Sequence, residues 1–61
     1  MNLPKDPIML FSYINTQLRD NYPSLSELAI SLGINEKDIT EPLEKVGYVY
    51  DSESNRFVKK M

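Results

Sequence analysis

The hydrophobic residues between Leu25 and Tyr48 are spaced as in two short amphipathic helices joined by a tight turn. Each helix keeps its apolar side chains on one face, at intervals of three or four residues. Gly33 follows the first of them, where a residue with positive φ ends a helix without strain from a Cβ atom. The pattern predicts a helix-turn-helix unit whose two apolar stripes share one core: Leu25, Leu28, Ala29 and Leu32, then Ile39, Leu43 and Val46.

A longer helix is predicted before this unit, from Ile8 to Asn21, because that stretch contains neither Gly nor Pro. An extended arm from Asn2 to Asp6 precedes it. Asp6 is suited to the N-cap and Pro7 to the first helical position. The face expected to be buried carries five apolar or aromatic side chains: Leu10, Phe11, Ile14, Leu18 and Tyr22.

Two further helix starts follow. Ser24 and Glu27 have the spacing of a capping box, in which each side chain accepts a hydrogen bond from the backbone amide of the other residue. Asn35 is expected as the N-cap of the third helix, and Ile34 and Ile39 flank it at the spacing of a hydrophobic staple.

Pro42 predicts a break in the third helix. In a continuous helix this proline cannot bond to the carbonyl of Asp38 and its ring clashes with it, at a cost of about 3 kcal/mol. The prediction is therefore one turn from Glu36 to Ile39, a kink near Thr40 and Glu41, and a second segment to Val46, ended by Gly47.

After the third helix the period changes from 3.6 to 2, which predicts a β-hairpin. The strands are expected over Tyr48–Tyr50 and Arg56–Val58, on either side of a polar turn. A four-residue loop at Ser52–Asn55 places Tyr50 opposite Phe57 as an aromatic cross-strand pair.

These elements predict a single α+β domain over residues 1–61. It has a core of three helices that includes the helix-turn-helix unit, followed by a C-terminal β-hairpin, and its layout is winged-helix-like. A chain of this size buries only about 60% of the surface exposed when it is unfolded, so its stability is marginal. The predicted core is Leu10, Phe11, Ile14, Leu18, Leu25, Leu28, Leu32, Ile34, Ile39, Leu43 and Val46.

Composition narrows the possible functions. The chain has no Cys and no His, which removes disulfides, thiolate nucleophiles, imidazole bases and the usual zinc ligands. The N-terminus lacks the layout of a signal peptide, and no apolar run approaches the ~20 residues needed to cross a bilayer. We therefore expect a cytoplasmic protein that does not contact membranes.

No catalytic, cofactor or metal site is predicted. The run Asp51, Glu53 and Asn55 copies the first ligand positions of a calcium loop, but it lacks the glycine at the sixth place and the chain ends before the twelfth. The remaining acidic residues are typical of a helix N-terminus and a solvated helix face, so we expect a non-enzymatic protein: Glu36, Asp38, Glu41 and Glu44.

The predicted fold also suggests DNA binding, because winged-helix domains place the helix after the turn in the major groove. The positions of that helix that face outward carry three negative charges and one positive charge, and the whole chain has net charge −2. The hairpin offers only Arg56, Lys59 and Lys60 to phosphates. We interpret the chain as a protein-interaction module. A DNA-binding transcriptional regulator of the winged-helix type is the alternative.

Met9 and Tyr13 lie away from the main apolar stripe of the first helix, so another part of the structure must shield their side chains from water. We expect the hairpin and the N-terminal arm to provide this cover, leaving a monomer in dilute solution. A second subunit or another protein is the alternative cover. The candidate partner-binding residues are Met9, Tyr13, Thr40, Glu41 and Arg56.

Three stretches resemble a family of short bacterial proteins classed only as a domain of unknown function. They are the opening NLPKDP from Asn2 to Pro7, the continuation through Asn15, Leu18 and Arg19 to Tyr22-Pro23-Ser24-Leu25, and the ending Gly47-Tyr48 with Tyr50-Asp51. The resemblance covers nearly the whole chain. It implies a free-standing protein with no assigned activity, catalytic residue or cofactor. Pro42 departs from the helix-favouring residues that the resemblance implies there.

Overall fold

A computed structural model describes residues 3–60, which form three helices followed by one antiparallel hairpin. The predicted α+β layout is confirmed. Asn2, the first residue of the predicted arm, lies outside the described residues. The elements in chain order are α1 (Pro7–Asp20), α2 (Leu25–Leu32), α3 (Lys37–Lys45), β1 (Tyr48–Asp51) and β2 (Arg56–Lys59).

The first two helices begin at the predicted caps. The Asp6 carboxylate accepts a hydrogen bond from the Ile8 amide at 2.8 Å, and Pro7 opens α1. The Ser24 hydroxyl accepts one from the Glu27 amide at 3.2 Å, which is the predicted serine half of the capping box. Gly33 ends α2 with φ of 71°, as predicted.

The start of α3 differs from the prediction. Glu36 is the cap residue and its own side chain does not bond to the helix, because it accepts a hydrogen bond from the Ser26 hydroxyl at 2.8 Å instead. The predicted side-chain cap by Asn35 is wrong. Asp38 reaches back and accepts a hydrogen bond from the Asn35 amide at 3.1 Å, so the acidic residue of the first turn holds this corner.

The predicted break at Pro42 is also wrong, because α3 runs through this proline without interruption. The carbonyl that Pro42 leaves without its helical partner belongs to Asp38, an exposed residue, so water can bond to it at little cost. Ile39 and Leu43 on either side are fully buried and hold both halves of the helix on the same core. Gly47 has the expected positive φ, 92°.

The core lies where the three helices meet the inner face of the hairpin. The predicted Phe11, Leu32 and Ile34 are partly buried and pack against it. Val46 is 40% exposed and does not belong to it, because it caps the C-terminal end of α3 after the last buried turn. Phe57, absent from the predicted core, is only 1% exposed. The central cluster is Leu10, Ile14, Leu18, Leu25, Leu28, Ile39, Leu43 and Phe57.

The hairpin has the predicted loop and register, with Tyr50 opposite Phe57 and their ring centroids 5.6 Å apart. A second aromatic contact joins the hairpin to α1, where Phe11 stacks on Tyr48 at a centroid distance of 4.1 Å. Aromatic pairs of this kind stabilise by about 0.5–1.5 kcal/mol beyond the area that they bury. The inner face of the hairpin is thus aromatic and lies on α1.

Asn15 fastens β2 to α1. Its side-chain amide donates to the Phe57 carbonyl at 3.1 Å, and its side-chain oxygen accepts from the Phe57 amide at 2.7 Å. The carboxamide therefore bonds to the outer edge of β2 as a neighbouring strand would. Two polar backbone groups beside the core are satisfied by one side chain.

Asn55 fastens the loop to the C-terminal end of α1. It adopts the left-handed conformation with φ of 53°, which Asn tolerates better than most residues. Its side-chain nitrogen donates to the carbonyls of Leu18 at 3.2 Å and Tyr22 at 3.0 Å. Its oxygen accepts from the Tyr50 hydroxyl at 2.6 Å. That hydroxyl in turn accepts from the Leu25 amide at 3.3 Å, so one chain of hydrogen bonds joins α1, α2 and the hairpin.

Replacing Leu28 or Leu43 with alanine should lower the free energy of unfolding by about 2–5 kcal/mol, the usual loss for a buried leucine. Both side chains are fully buried in the cluster between the helices. Ile30→Ala is the control, because Ile30 is 73% exposed on α2. Urea unfolding followed by circular dichroism measures all three variants. Equal losses for Ile30→Ala and Leu28→Ala would contradict the assigned core.

Replacing Asn15 with alanine should lower the free energy of unfolding by about 1–3 kcal/mol, because the Phe57 amide and carbonyl lose their partner. The neighbouring exposed Thr16→Ala serves as the control.

Asn15→Asp adds a pH dependence. A neutral aspartic acid can both donate to and accept from Phe57, whereas the carboxylate repels the Phe57 carbonyl, so folding raises the pKa of the introduced group. The variant should therefore gain stability relative to the parent as the pH falls from about 7 to about 3. Urea midpoints at the two pH values measure the difference, and a difference that does not change with pH would contradict the two-way hydrogen bond.

Candidate binding surfaces

An open groove of about 590 Å³ lies between the middle of α1 and the loop end of the hairpin. The volume falls within the range of about 300–1,000 Å³ that is usual for ligand sites. Phe11 and Leu18 supply apolar surface, and the other lining residues are polar or basic: Ser12, Asn15, Thr16, Arg19, Ser54, Asn55 and Arg56.

The two asparagines set the width of this groove. Asn15 holds β2 against α1, and Asn55 holds the loop against the end of α1. Ser12 and Thr16 stand one turn apart on the exposed side of α1, opposite the loop residue Ser54. Hydrogen bonds to backbone groups therefore fix both walls of the groove.

Of the charged residues around the groove, Arg19, Asp20 and Arg56 are exposed and Asp51 is half-buried. Arg19 pairs with Asp20 through bonds of 2.9 and 3.1 Å, and these bonds raise the pKa of the guanidinium and lower the pKa of the carboxyl. The Ser54 hydroxyl, the Glu53 amide and, more weakly, Arg56 lower the pKa of the Asp51 carboxyl. Within residues 3–60, Arg56 forms no ion pair closer than 4 Å. The groove thus has one arginine whose guanidinium is available to a ligand.

The cover predicted for Met9 is wrong. Met9 is 62% exposed, and its neighbour Ile8 is 58% exposed. The hairpin contacts Phe11 and Asn15, which share a face one helical turn apart, and Met9 points elsewhere on the helix. Tyr13 is half-buried and packs against the core.

The other predicted site residues are dispersed. Thr40 is half-buried on α3 and Glu41 is exposed beside it, while Arg56 opens β2 and lines the groove. The five candidates therefore lie on three elements. The exposed charges of α3 and its cap are four acidic and two basic residues: Glu36, Asp38, Glu41 and Glu44, with Lys37 and Lys45.

Asn15 and Asn55 were not predicted as site-forming residues. Asn15 sits four residues after Phe11 on a largely apolar helix, and a polar side chain there signals a buried polar partner. Asn55 stands at the end of a hairpin loop, a position that favours a left-handed asparagine. Neither signal identifies the partner, because Phe57 lies 42 positions from Asn15.

Within residues 3–60, no group of three or more acidic side chains is placed to hold a metal ion. In the same part of the chain, no helix combines the length and the apolar character required to cross a bilayer.

Comparison with known proteins identifies a family for this chain. No curated protein and no solved structure matches the chain. Residues 4–57 match a protein family, and this range includes all three helices, β1 and the start of β2. The chain therefore belongs to the family described as Domain of unknown function (DUF4250).

Proposed function

We propose that this chain is a non-enzymatic binding module that holds a segment of another protein in the groove between α1 and the hairpin. The groove carries the proposal, because it joins apolar surface at Phe11 with hydroxyl donors and with the guanidinium of Arg56, which has no ion-pair partner among residues 3–60. Recognition sites for polypeptides combine an apolar centre with a polar rim in this way. The fixed walls reduce the entropy lost when a ligand binds.

The charge of α3 supports a protein ligand over DNA. Its exposed residues include four carboxylates, from Glu36 to Glu44, against two lysines. Most of the affinity for duplex DNA comes from basic residues that displace counterions from phosphates. Because α3 has a net negative charge, the DNA phosphates repel it and disfavour its entry into the major groove.

DNA binding of the winged-helix type is the second candidate. The order of three helices followed by a hairpin favours it, together with the exposed cations Arg56, Lys59 and Lys60 at the two ends of β2 and just beyond it. These residues would contact the phosphate backbone, leaving sequence recognition to Thr40 and its neighbours on α3.

A photo-reactive amino acid at Thr16 should form a covalent adduct with a discrete protein in cells of the native host. The same amino acid at Lys37, exposed on α3, is the matched control and should give no such adduct. With the captured protein purified, Thr16→Trp should weaken binding about tenfold or more by filling the groove, and Lys37→Trp should leave affinity within about twofold. Calorimetric titration measures both.

Equal adducts at the two positions, or unchanged affinity for Thr16→Trp, would contradict binding in the groove. Selection from random duplexes at physiological salt tests the second candidate. An enriched sequence motif, with affinity that falls on Thr40→Ala or Arg56→Ala, would replace the protein-binding proposal. If the chain retained DNA with no sequence motif and released it when salt was added, the binding would be non-specific and the protein-binding proposal would stand.

A further inference from the structure

Among the residues that the structure describes, none forms a backbone hydrogen bond with the outer edge of β1. Within residues 3–60, the Lys60 amide bonds to the Gly47 carbonyl at 2.6 Å, which continues the ladder of the hairpin by one pair. Antiparallel pairs alternate between hydrogen-bonded and non-hydrogen-bonded, so the pairs that contain Val49 and Asp51 are hydrogen-bonded. The backbone N–H and C=O groups of Tyr48 and Tyr50 therefore point away from β2.

The outer edge of β2 is closed at the corresponding position. Phe57 also belongs to a non-hydrogen-bonded pair, and both of its outward backbone groups are bonded to the Asn15 side chain. Arg56 and Lys59 add a charge at each end of β2. Charged ends and a covered edge are usual protections against strand addition. β1, with sequence YVYD, has no lysine and no proline, and no side chain of residues 3–60 forms a hydrogen bond with the outward backbone groups of Tyr48 and Tyr50.

We propose that two copies of the chain associate by antiparallel pairing of β1 with β1, with Val49 of each copy at the two-fold axis. This surface is separate from the groove, so the inference does not depend on the proposed function. In this register Tyr48 of one copy faces Tyr50 of the other, and both pairs are of the hydrogen-bonded kind. Four backbone hydrogen bonds would then join two edges whose polar groups are otherwise left to water.

The register is compatible with the side chains. Tyr48 and Tyr50 face the helices, as their contacts with Phe11 and Phe57 show, so Val49 lies on the opposite face of the hairpin. The two valines meet at the axis as a close, non-hydrogen-bonded pair. Asp51 falls opposite Gly47 of the other copy, so like charges do not face each other.

The association stops at two copies, because each chain offers one open edge and Asn15 blocks the other. A strand of four residues forms few contacts with a second copy, in contrast to the about 20–30 residues a side of a stable interface. The dimer is therefore reversible, with monomers in dilute solution and dimers as the concentration rises.

A charge-swap experiment tests the pairing. Val49→Glu and Val49→Lys should each raise the dimer dissociation constant about tenfold or more, because like charges then meet at the axis. An equimolar mixture of the two variants should recover most of the affinity of the parent. Val58→Glu is the matched control on the same face of β2 and should change the constant by about twofold or less. Sedimentation equilibrium over a wide concentration range measures association, and thermal melts check the fold.

Amide exchange gives a second measurement. Protection of the Tyr48 and Tyr50 amides should rise with concentration in the parent chain but not in Val49→Glu. A chain that stays monomeric at every concentration, association that Val49→Glu leaves unchanged, or growth beyond a dimer would each overturn the proposal. Protection of the two amides only after addition of a different protein would assign the edge to that protein instead.

Discussion

The two hydrogen bonds between the Asn15 carboxamide and the Phe57 backbone hold the hairpin against α1. An isolated two-stranded hairpin is at best marginally stable in water, so this one needs the helices beneath it. The helices need the hairpin equally, because Phe57 is part of the central cluster. One polar side chain thus sets the position at which an aromatic side chain enters the core, and the two halves of the fold stabilise each other.

The same carboxamide determines which surfaces remain available. By filling the edge of β2 it leaves β1 as the open strand, and by fixing the distance from α1 to the hairpin it sets one wall of the groove. Asn55 fixes the position of the hairpin loop in a similar way. Its left-handed backbone conformation directs its side chain toward the C-terminal end of α1, where it forms hydrogen bonds. Both surfaces are consequences of how a small domain satisfies its buried backbone groups.

The fold could be predicted from local signals in the sequence. The 3.6 and 2 periods identified every element, and the caps at Asp6 and Ser24 marked two helix starts correctly. The errors arose where a distant contact decides the outcome. Pro42 stays inside α3 because Ile39 and Leu43 are both buried, and Val46 is exposed because the chain turns away from the core there. The groove could not be predicted, since it depends on hydrogen bonds that join positions 15 and 57 and positions 55 and 18.

The Phe57 amide offers a direct view of how the two halves of the fold separate. It bonds to Asn15 of α1, whereas the amides of Val49 and Val58 belong to the ladder within the hairpin. Hydrogen exchange at Phe57 therefore reports the breaking of its bond to Asn15, and exchange at Val58 reports the opening of the ladder between β1 and β2. Two neighbouring residues thus report two different local unfolding events.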